Sequence, residues 1–198
     1  MPRNPTLPDL LLITPEPPAT AGLGVFLDRL EHVLSGGISL VQLRAKTLAA
    51  PAYRALASEV CALCRRYGAR VVCNGGVDPW EDWGALGEIG ADGFHLPSAR
   101  LMQTRVRPLD RSKLLSAACH TSDELRHAER IGVDFVTLSP VLPTTSHPGE
   151  PALGWARFES LAAEVAIPIF ALGGMTRELA VTARAHGAHG IAGISAFW

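Results

Sequence analysis

Residues 36–46, Gly-Gly-Ile-Ser-Leu-Val-Gln-Leu-Arg-Ala-Lys, contain the pattern that decides the fold. The two glycines end a helical segment, and a short apolar run from Leu40 to Arg44 follows at once. Such a run, bounded by glycine on one side and charge on the other, is typical of a buried strand in a parallel sheet. The stretch therefore predicts a helix-to-strand connection of a repeated α/β architecture.

Similar runs recur along the whole chain. The predicted strands are Leu10–Thr14, Leu40–Arg44, Arg70–Cys73, Gly93–Leu96, Leu114–Ala118, Phe135–Ser139, Ile169–Ala171 and Gly190–Ile194. Segments with apolar residues at three- and four-residue spacing separate many of them and predict helices. The predicted helices are Gly24–Ser35, Pro51–Tyr67, Ser122–Ile131, Trp155–Val165 and Arg177–His186.

Eight strands alternating with helices predict an α/β fold of the (β/α)8 TIM-barrel type. The alternative is a doubly wound open sheet, but no glycine-rich fingerprint follows the first strand, which continues into Thr14-Pro15-Glu16. Phe197 and Trp198 follow directly after the last predicted strand and its short loop. We therefore expect the barrel to lack its last helix. That gap and an exposed Phe-Trp pair predict a homo-oligomer.

Composition predicts one domain over residues 1–198, with a flexible Pro-rich lead-in at 1–9. Of the 198 residues 47% are hydrophobic and 19% charged, and the formal net charge is −1. This balance argues against binding to nucleic acid or to a membrane. No secretory signal pattern is present, so we expect a cytoplasmic protein. The four cysteines are expected to be reduced, buried thiols.

The carboxyl ends of barrel strands are where reactive groups collect, so each strand exit is a candidate site. Strand two ends in Gln42, Arg44 and Lys46, which alternation places on one side with the cations near the top. Two cations at a strand end suit a phosphate or a carboxylate. A salt-bridged surface pair is the alternative.

The last two strands predict a phosphate site. Gly173-Gly174 follows strand seven, and Ile194-Ser195 follows strand eight. Main-chain N–H groups at glycine turns bind phosphate oxygens, and barrels of this type often bind phosphate at these two loops. We therefore predict phosphate binding at these four residues.

Further polar residues follow strands three to six. His120 lies after strand five and His95 on strand four, both placed for proton transfer, although either can instead be a packed, hydrogen-bonded histidine. Thr144 and Ser146 lie in a hydroxyl-rich loop after strand six that resembles a lid.

Strand three ends in Asn74, without an acid. No metal site and no cofactor are predicted, because Mg²⁺ requires carboxylate oxygens near the phosphates.

These motifs together resemble the thiamine phosphate synthase superfamily, which includes the TenI-type thiazole tautomerases. The matching stretches are 11–14, 36–46, 90–96, 119–121, 139–141 with Thr144, 153–154 and 173–174. The synthase pattern holds Mg²⁺ with two acids, where this chain has Gly75 and Arg100. It also differs at Ala118, and at Ser146 and His147. The tautomerase pattern matches Asn74-Gly75, residues 96–98 and His120.

The resemblance implies a metal-independent thiazole tautomerase that binds a small phosphorylated thiazole, with His120 as the acid–base residue. It implies substrate contacts from Gln42, Arg44, Lys46, Asn74, His95, Thr144 and Ser146. One alternative is a thiamine phosphate synthase, which joins hydroxymethylpyrimidine diphosphate to thiazole phosphate. Another is a non-catalytic protein that binds thiamine phosphate. A link to Nudix hydrolase domains is also implied, because related barrels occur fused to them.

Overall fold

Eight parallel strands form a closed barrel in chain order. The structure is a computed structural model that describes residues 7–18, 22–75, 88–144 and 151–198. The strands are β1 (Leu10–Ile13), β2 (Leu40–Ala45), β3 (Arg70–Gly75), β4 (Gly93–Leu96), β5 (Leu114–Cys119), β6 (Phe135–Leu138), β7 (Ile169–Ala171) and β8 (Gly190–Gly193). Each predicted strand is found within two residues of its predicted ends. The prediction of a TIM barrel is confirmed.

Two apolar layers hold the barrel together. Strand residues such as Leu11, Phe135 and Phe170 fill its interior, where the last two rings meet edge to face with centroids 5.4 Å apart. Alternate strand residues point outward and pack against the helices. Gly93 permits the close approach of β4 and β5, because a Cβ atom there would lie 2.1 Å from the carbonyl oxygen of Leu114.

Six α-helices surround the strands in the described residues. They are α1 (Leu23–Ser35), α2 (Ala50–Arg66), α3 (Ser98–Gln103), α4 (Ser122–Ile131), α5 (Gly154–Ala162) and α6 (Ala180–Ala185), with a 3-10 turn at Arg177–Leu179. Helix α3 was not predicted, since six residues are too few for a clear periodicity. Helix α5 ends at Ala162, three residues before the predicted end at Val165. No described helix is long and apolar enough to cross a membrane.

Residues 194–198, which follow β8, pack against the barrel and α1. They form no helix. The Phe197 side chain is 5% exposed and the guanidinium of Arg177 lies 5.2 Å from its ring centroid. The Trp198 ring packs on Phe26 of α1 at a centroid distance of 4.8 Å. The expectation that this pair forms an exposed apolar surface is therefore wrong, because it fills the gap between the barrel and α1.

Contacts at the opposite end of the barrel involve part of the predicted flexible lead-in. The His189 ring Nε2 lies 3.1 Å from the carbonyl oxygens of Leu7 and Pro8, and Arg184 forms an ion pair with Asp9 at 3.0 Å. Residues 1–6 lie outside the described residues. The four cysteines are free and buried, as expected.

We expect Phe197→Ala to destabilise the protein by about 3 kcal/mol, because it removes a buried aromatic ring next to the main chain of β8. Urea unfolding measures the free energy of unfolding. The control Val25→Ala, at a side chain that is 73% exposed, should change it by no more than about 0.5 kcal/mol. Equal stability of the two variants would contradict a covering role for Phe197.

Self-association stays a prediction, and light scattering on the same variants tests it.

Candidate active site

One cavity of about 460 Å³ opens at the carboxyl ends of the strands. It brings together every predicted site residue except Ser146, which lies outside the described residues. The predicted residues that line it are Gln42, Arg44, Lys46, Asn74, His95, His120, Thr144, Gly173, Gly174, Ile194 and Ser195. They come from seven different strand exits, so barrel closure alone makes them neighbours.

Arg44, on β2, and Lys46, just after it, share their surroundings with a carboxylate that the sequence did not reveal. Glu16 Oε2 lies 3.2 Å from Arg44 Nη1, and Oε1 accepts hydrogen bonds of 2.8 Å from the amide and the hydroxyl of Thr47. Glu16 lies just beyond β1, and the pairing of Ile13 with Gln42 places the two strand exits side by side. Arg44 is therefore already neutralised in part by the protein.

The surroundings of Lys46 disfavour its positive charge. Burial lowers its pKa, the positive charge of Arg44 lowers it further, and Glu16 opposes the shift. An anionic ligand beside Lys46 would reverse this effect, since an opposite charge favours the protonated amine. Lys46 is thus the better candidate of the two cations for an anion-binding group.

Gln42 offers the cavity a hydrogen-bond acceptor. Its side chain is 2% exposed, and its Oε1 has no hydrogen-bond partner among the described residues. A buried acceptor without a partner carries a free-energy cost that a ligand N–H or O–H removes on binding. The amide of Gln42 therefore favours a ligand with a hydrogen-bond donor.

The two predicted histidines differ in environment. His95 is 3% exposed, its Nδ1 lies 2.9 Å from Ser116 Oγ, and burial together with the charge of Lys46 lowers its pKa to about 3. His95 is therefore neutral at physiological pH. The Nδ1 of His120 donates to the carbonyl oxygen of Ser139 at 2.8 Å. The neutral ring of His120 then has an acceptor at Nε2.

The turn after β7 requires glycine both for its main-chain conformation and for its close packing against the loop after β6. Gly173 and Gly174 have φ values of +98° and +67°, which other residues rarely adopt. A Cβ atom at Gly174 would also lie 2.8 Å from the Cβ of Leu142, in the loop after β6. Consecutive turn residues of this kind leave main-chain N–H groups able to surround an anion. A bulky residue at Gly174 would displace the β6 loop as well as any phosphate, so it cannot test phosphate binding alone.

The described residues do not fit a Mg²⁺ ion. No group of three His, Cys, Asp or Glu side chains with metal-binding geometry occurs among them. Glu16 is the carboxylate among the described cavity residues, and its oxygens accept from Arg44 and Thr47. Gly75 has no side-chain ligand and Arg100 is a cation. Asp78, the nearest acid in sequence after β3, lies outside the described residues.

We expect Glu16→Gln to strengthen binding of inorganic diphosphate roughly fivefold, because the change removes a negative charge that competes for Arg44. Calorimetric titration measures the affinity. Glu31→Gln is the matched control, since Glu31 forms a similar 3.0 Å pair with Arg66 on the helical surface. Weaker binding in the Glu16 variant would mean that Glu16 mainly orients Arg44.

We expect Ser195→Asp to weaken binding of inorganic phosphate at least tenfold, because it places a like charge at the predicted phosphate site. Ser195 is exposed and lines the cavity, so the substitution should not disturb packing. Ser195→Asn, of similar size and without charge, is the control. Equal affinities of the two variants would place the phosphate elsewhere.

A family model and individual relatives of the chain agree on one protein family. The family model described as thiamine monophosphate synthase matches residues 10–197. The chain is 36% identical over 172 residues to a putative thiamine-phosphate synthase 2 of Aquifex aeolicus, covering 87% of this chain and 89% of that protein. It is 38% identical over 165 residues to a thiamine-phosphate synthase of Methanospirillum hungatei, covering 82% of this chain and 77% of that protein.

A solved structure supports the fold. A thiamine phosphate pyrophosphorylase from Pyrococcus furiosus has a TM-score of 0.71 to this chain at 21% identity, with 94% of this chain and 85% of that chain covered. At that level of identity the similarity shows the barrel architecture and not the activity.

These relatives overturn the expectation that a thiazole tautomerase, an isomerase, is the main function. Proteins 36% and 38% identical over most of the chain are named as thiamine-phosphate synthases, which favours the synthase alternative. The tautomerase prediction depended on a few positions at strand exits, whereas the similarity extends over the barrel as a whole. The chain belongs to the thiamine monophosphate synthase family.

Proposed function

We propose that this protein is a thiamine-phosphate synthase, a transferase that joins a pyrimidine diphosphate to a thiazole phosphate. The observation that carries the proposal is that one cavity is lined by two separate sets of groups whose chemistry suits anions. The glycine turn after β7 and the exit of β8 form one set, and Arg44 and Lys46 at the end of β2 form the other. Strand β1 separates the two sets. Two phosphorylated substrates need two such sets, and a protein for one small phosphate needs one.

The reaction requires no proton transfer at the reacting atoms. The thiazole nitrogen forms a bond to the methylene carbon of the pyrimidine, the bond from that carbon to the diphosphate oxygen breaks, and diphosphate leaves with the electron pair. Negative charge therefore develops on the leaving diphosphate. A fixed cation beside it stabilises the transition state more than the ground state. In the proposed arrangement Lys46 supplies that cation, with Arg44 beside it.

The remaining groups then bind and orient the substrates. Gln42 Oε1 is a suitable acceptor for a ring amine, and the glycine turn suits the thiazole phosphate. His120 has no acid–base role in this substitution, so we propose it as a contact to the substrate through its ring. No step is assigned to a metal ion, because the described residues do not fit one.

The direct test supplies hydroxymethylpyrimidine diphosphate and thiazole phosphate to the purified protein and measures thiamine phosphate by mass spectrometry. We expect product, and about a 10²-fold lower rate in Lys46→Ala, the usual effect of removing one group that stabilises developing charge. Arg29→Ala, on the exposed surface of α1, removes one positive charge outside the cavity and should leave the rate unchanged.

Absence of product from a folded protein that still binds thiamine phosphate would contradict the synthase proposal and favour a binding protein. The assay is run with Mg²⁺ and again with a chelator. A rate that needs Mg²⁺ would mean that acids outside the described residues, such as Asp78, provide metal ligands.

A further inference from the structure

Glu124 caps helix α4 in an ordinary way. It is the third residue of the helix, and its amide donates to the Thr121 hydroxyl at 3.3 Å. In return, Glu124 Oε2 accepts from the amide of Thr121 at 3.0 Å. This reciprocal pair is a capping box. It gives hydrogen-bond acceptors to two main-chain N–H groups at the start of the helix that have no partner within the helix.

The same carboxylate forms two further hydrogen bonds that a helix cap does not need. Oε2 accepts from the amide of His120 at 2.6 Å, and Oε1 accepts from the hydroxyl of Ser98. Ser98 belongs to α3, in the preceding β/α unit, and both Ser98 and His120 line the cavity. One carboxylate thus connects the loops after β4 and β5 at the cavity wall.

These bonds act on His120 together with a second contact. Glu124 holds the main chain of His120, while the carbonyl oxygen of Ser139 holds its ring through Nδ1 at 2.8 Å. A side chain that is fixed at the main chain and at the ring has few orientations left. The orientation of His120 in the cavity therefore depends on Glu124 as well as on Ser139.

The surroundings keep Glu124 ionised. Burial alone would raise its pKa, but the hydrogen bonds from Ser98 and from the His120 amide outweigh burial and leave the pKa below its ordinary value. Hydrogen bonds to an ionised acceptor are roughly twice as strong as neutral ones. At neutral pH the Ser98 hydroxyl and the amides of His120 and Thr121 are therefore held firmly by this carboxylate.

We propose that Glu124 is a positioning residue that orients His120 and Ser98 at the substrate cavity, beyond its part in capping α4. The proposal deepens the synthase function, because its kinetic consequence rests on that activity. Glu124 itself does not line the cavity, and we assign it no contact with substrate.

The test separates positioning from capping with two variants. Thr121→Ala removes the cap hydroxyl and leaves the bonds from Glu124 to His120 and Ser98. Glu124→Ala removes the whole set. We expect Thr121→Ala to lower the melting temperature by about 2–4 °C, the effect of losing one helix cap in a protein of this size. Glu124→Ala should lower it further, because it also leaves the donors on Ser98 and His120 without their acceptor. Only Glu124→Ala should lower kcat for thiamine phosphate formation, by about 10-fold to 10²-fold.

The split between kcat and KM adds a second readout. The phosphate site after β7 and β8 makes no contact with Glu124 in the described residues, so KM for thiazole phosphate should change by less than about twofold. Glu124→Gln should recover most of kcat. Its amide oxygen can accept from the His120 and Thr121 amides, while its NH2 group donates to Ser98, whose hydroxyl also accepts.

A measurement without substrate distinguishes failure of this proposal from failure of the synthase function. The protein is labelled with ¹⁵N-histidine, and His120→Asn identifies the ring signals of His120. We expect the Nδ1–H signal to broaden in Glu124→Ala and to remain sharp in Thr121→Ala. Unchanged ring signals in Glu124→Ala, or equal losses of kcat in the two variants, would overturn the positioning role. Expected ring signals with no product from the wild-type protein would support positioning and contradict only the synthase proposal.

Discussion

Closure of eight parallel strands into one ring is the constraint on which this molecule depends. Parallel strands begin at one end of the barrel and finish at the other, so every strand exit faces the same opening. Gln42 and Ser195 are far apart in sequence, yet they line one cavity because β2 and β8 are both neighbours of β1. The polar groups are brought together by hydrogen bonds between main chains and by the apolar interior, and not by attraction for one another.

This constraint explains why the strands and the site could be predicted from sequence and why other features could not. A buried strand has a local signature of apolar and β-branched residues, and the end of a strand is then a predictable place for function. Glu16 was missed because its partnership with Arg44 and Thr47 arises only when β1 lies beside β2. The burial of Phe197 likewise depends on Arg177, which lies well before it in the sequence and meets its ring only in the folded barrel.

The error in the predicted activity has a related cause. The tautomerase prediction used a small set of residues at the ends of β3, β4 and β5, and loops at strand exits vary more among related proteins than the elements that they connect. Similarity over residues 10–197 covers nearly the whole chain and all eight strands. Local differences at Gly75 and Arg100 change the groups available to one end of a ligand.

The two described carboxylates near the cavity show how its charge is arranged. The carboxylate of Glu16 accepts hydrogen bonds from Arg44 and Thr47. The carboxylate of Glu124 accepts them from Ser98, His120 and Thr121. Since each carboxylate is already a hydrogen-bond acceptor for the protein, its negative charge faces donors of the protein before it faces a ligand. The proposed anionic substrates would therefore be repelled less than the number of acidic groups indicates, and the positive charge of Lys46 is left to interact with them. Carboxylates can in this way fix the walls of a cavity at a small cost in affinity for anions, about the fivefold change expected for Glu16.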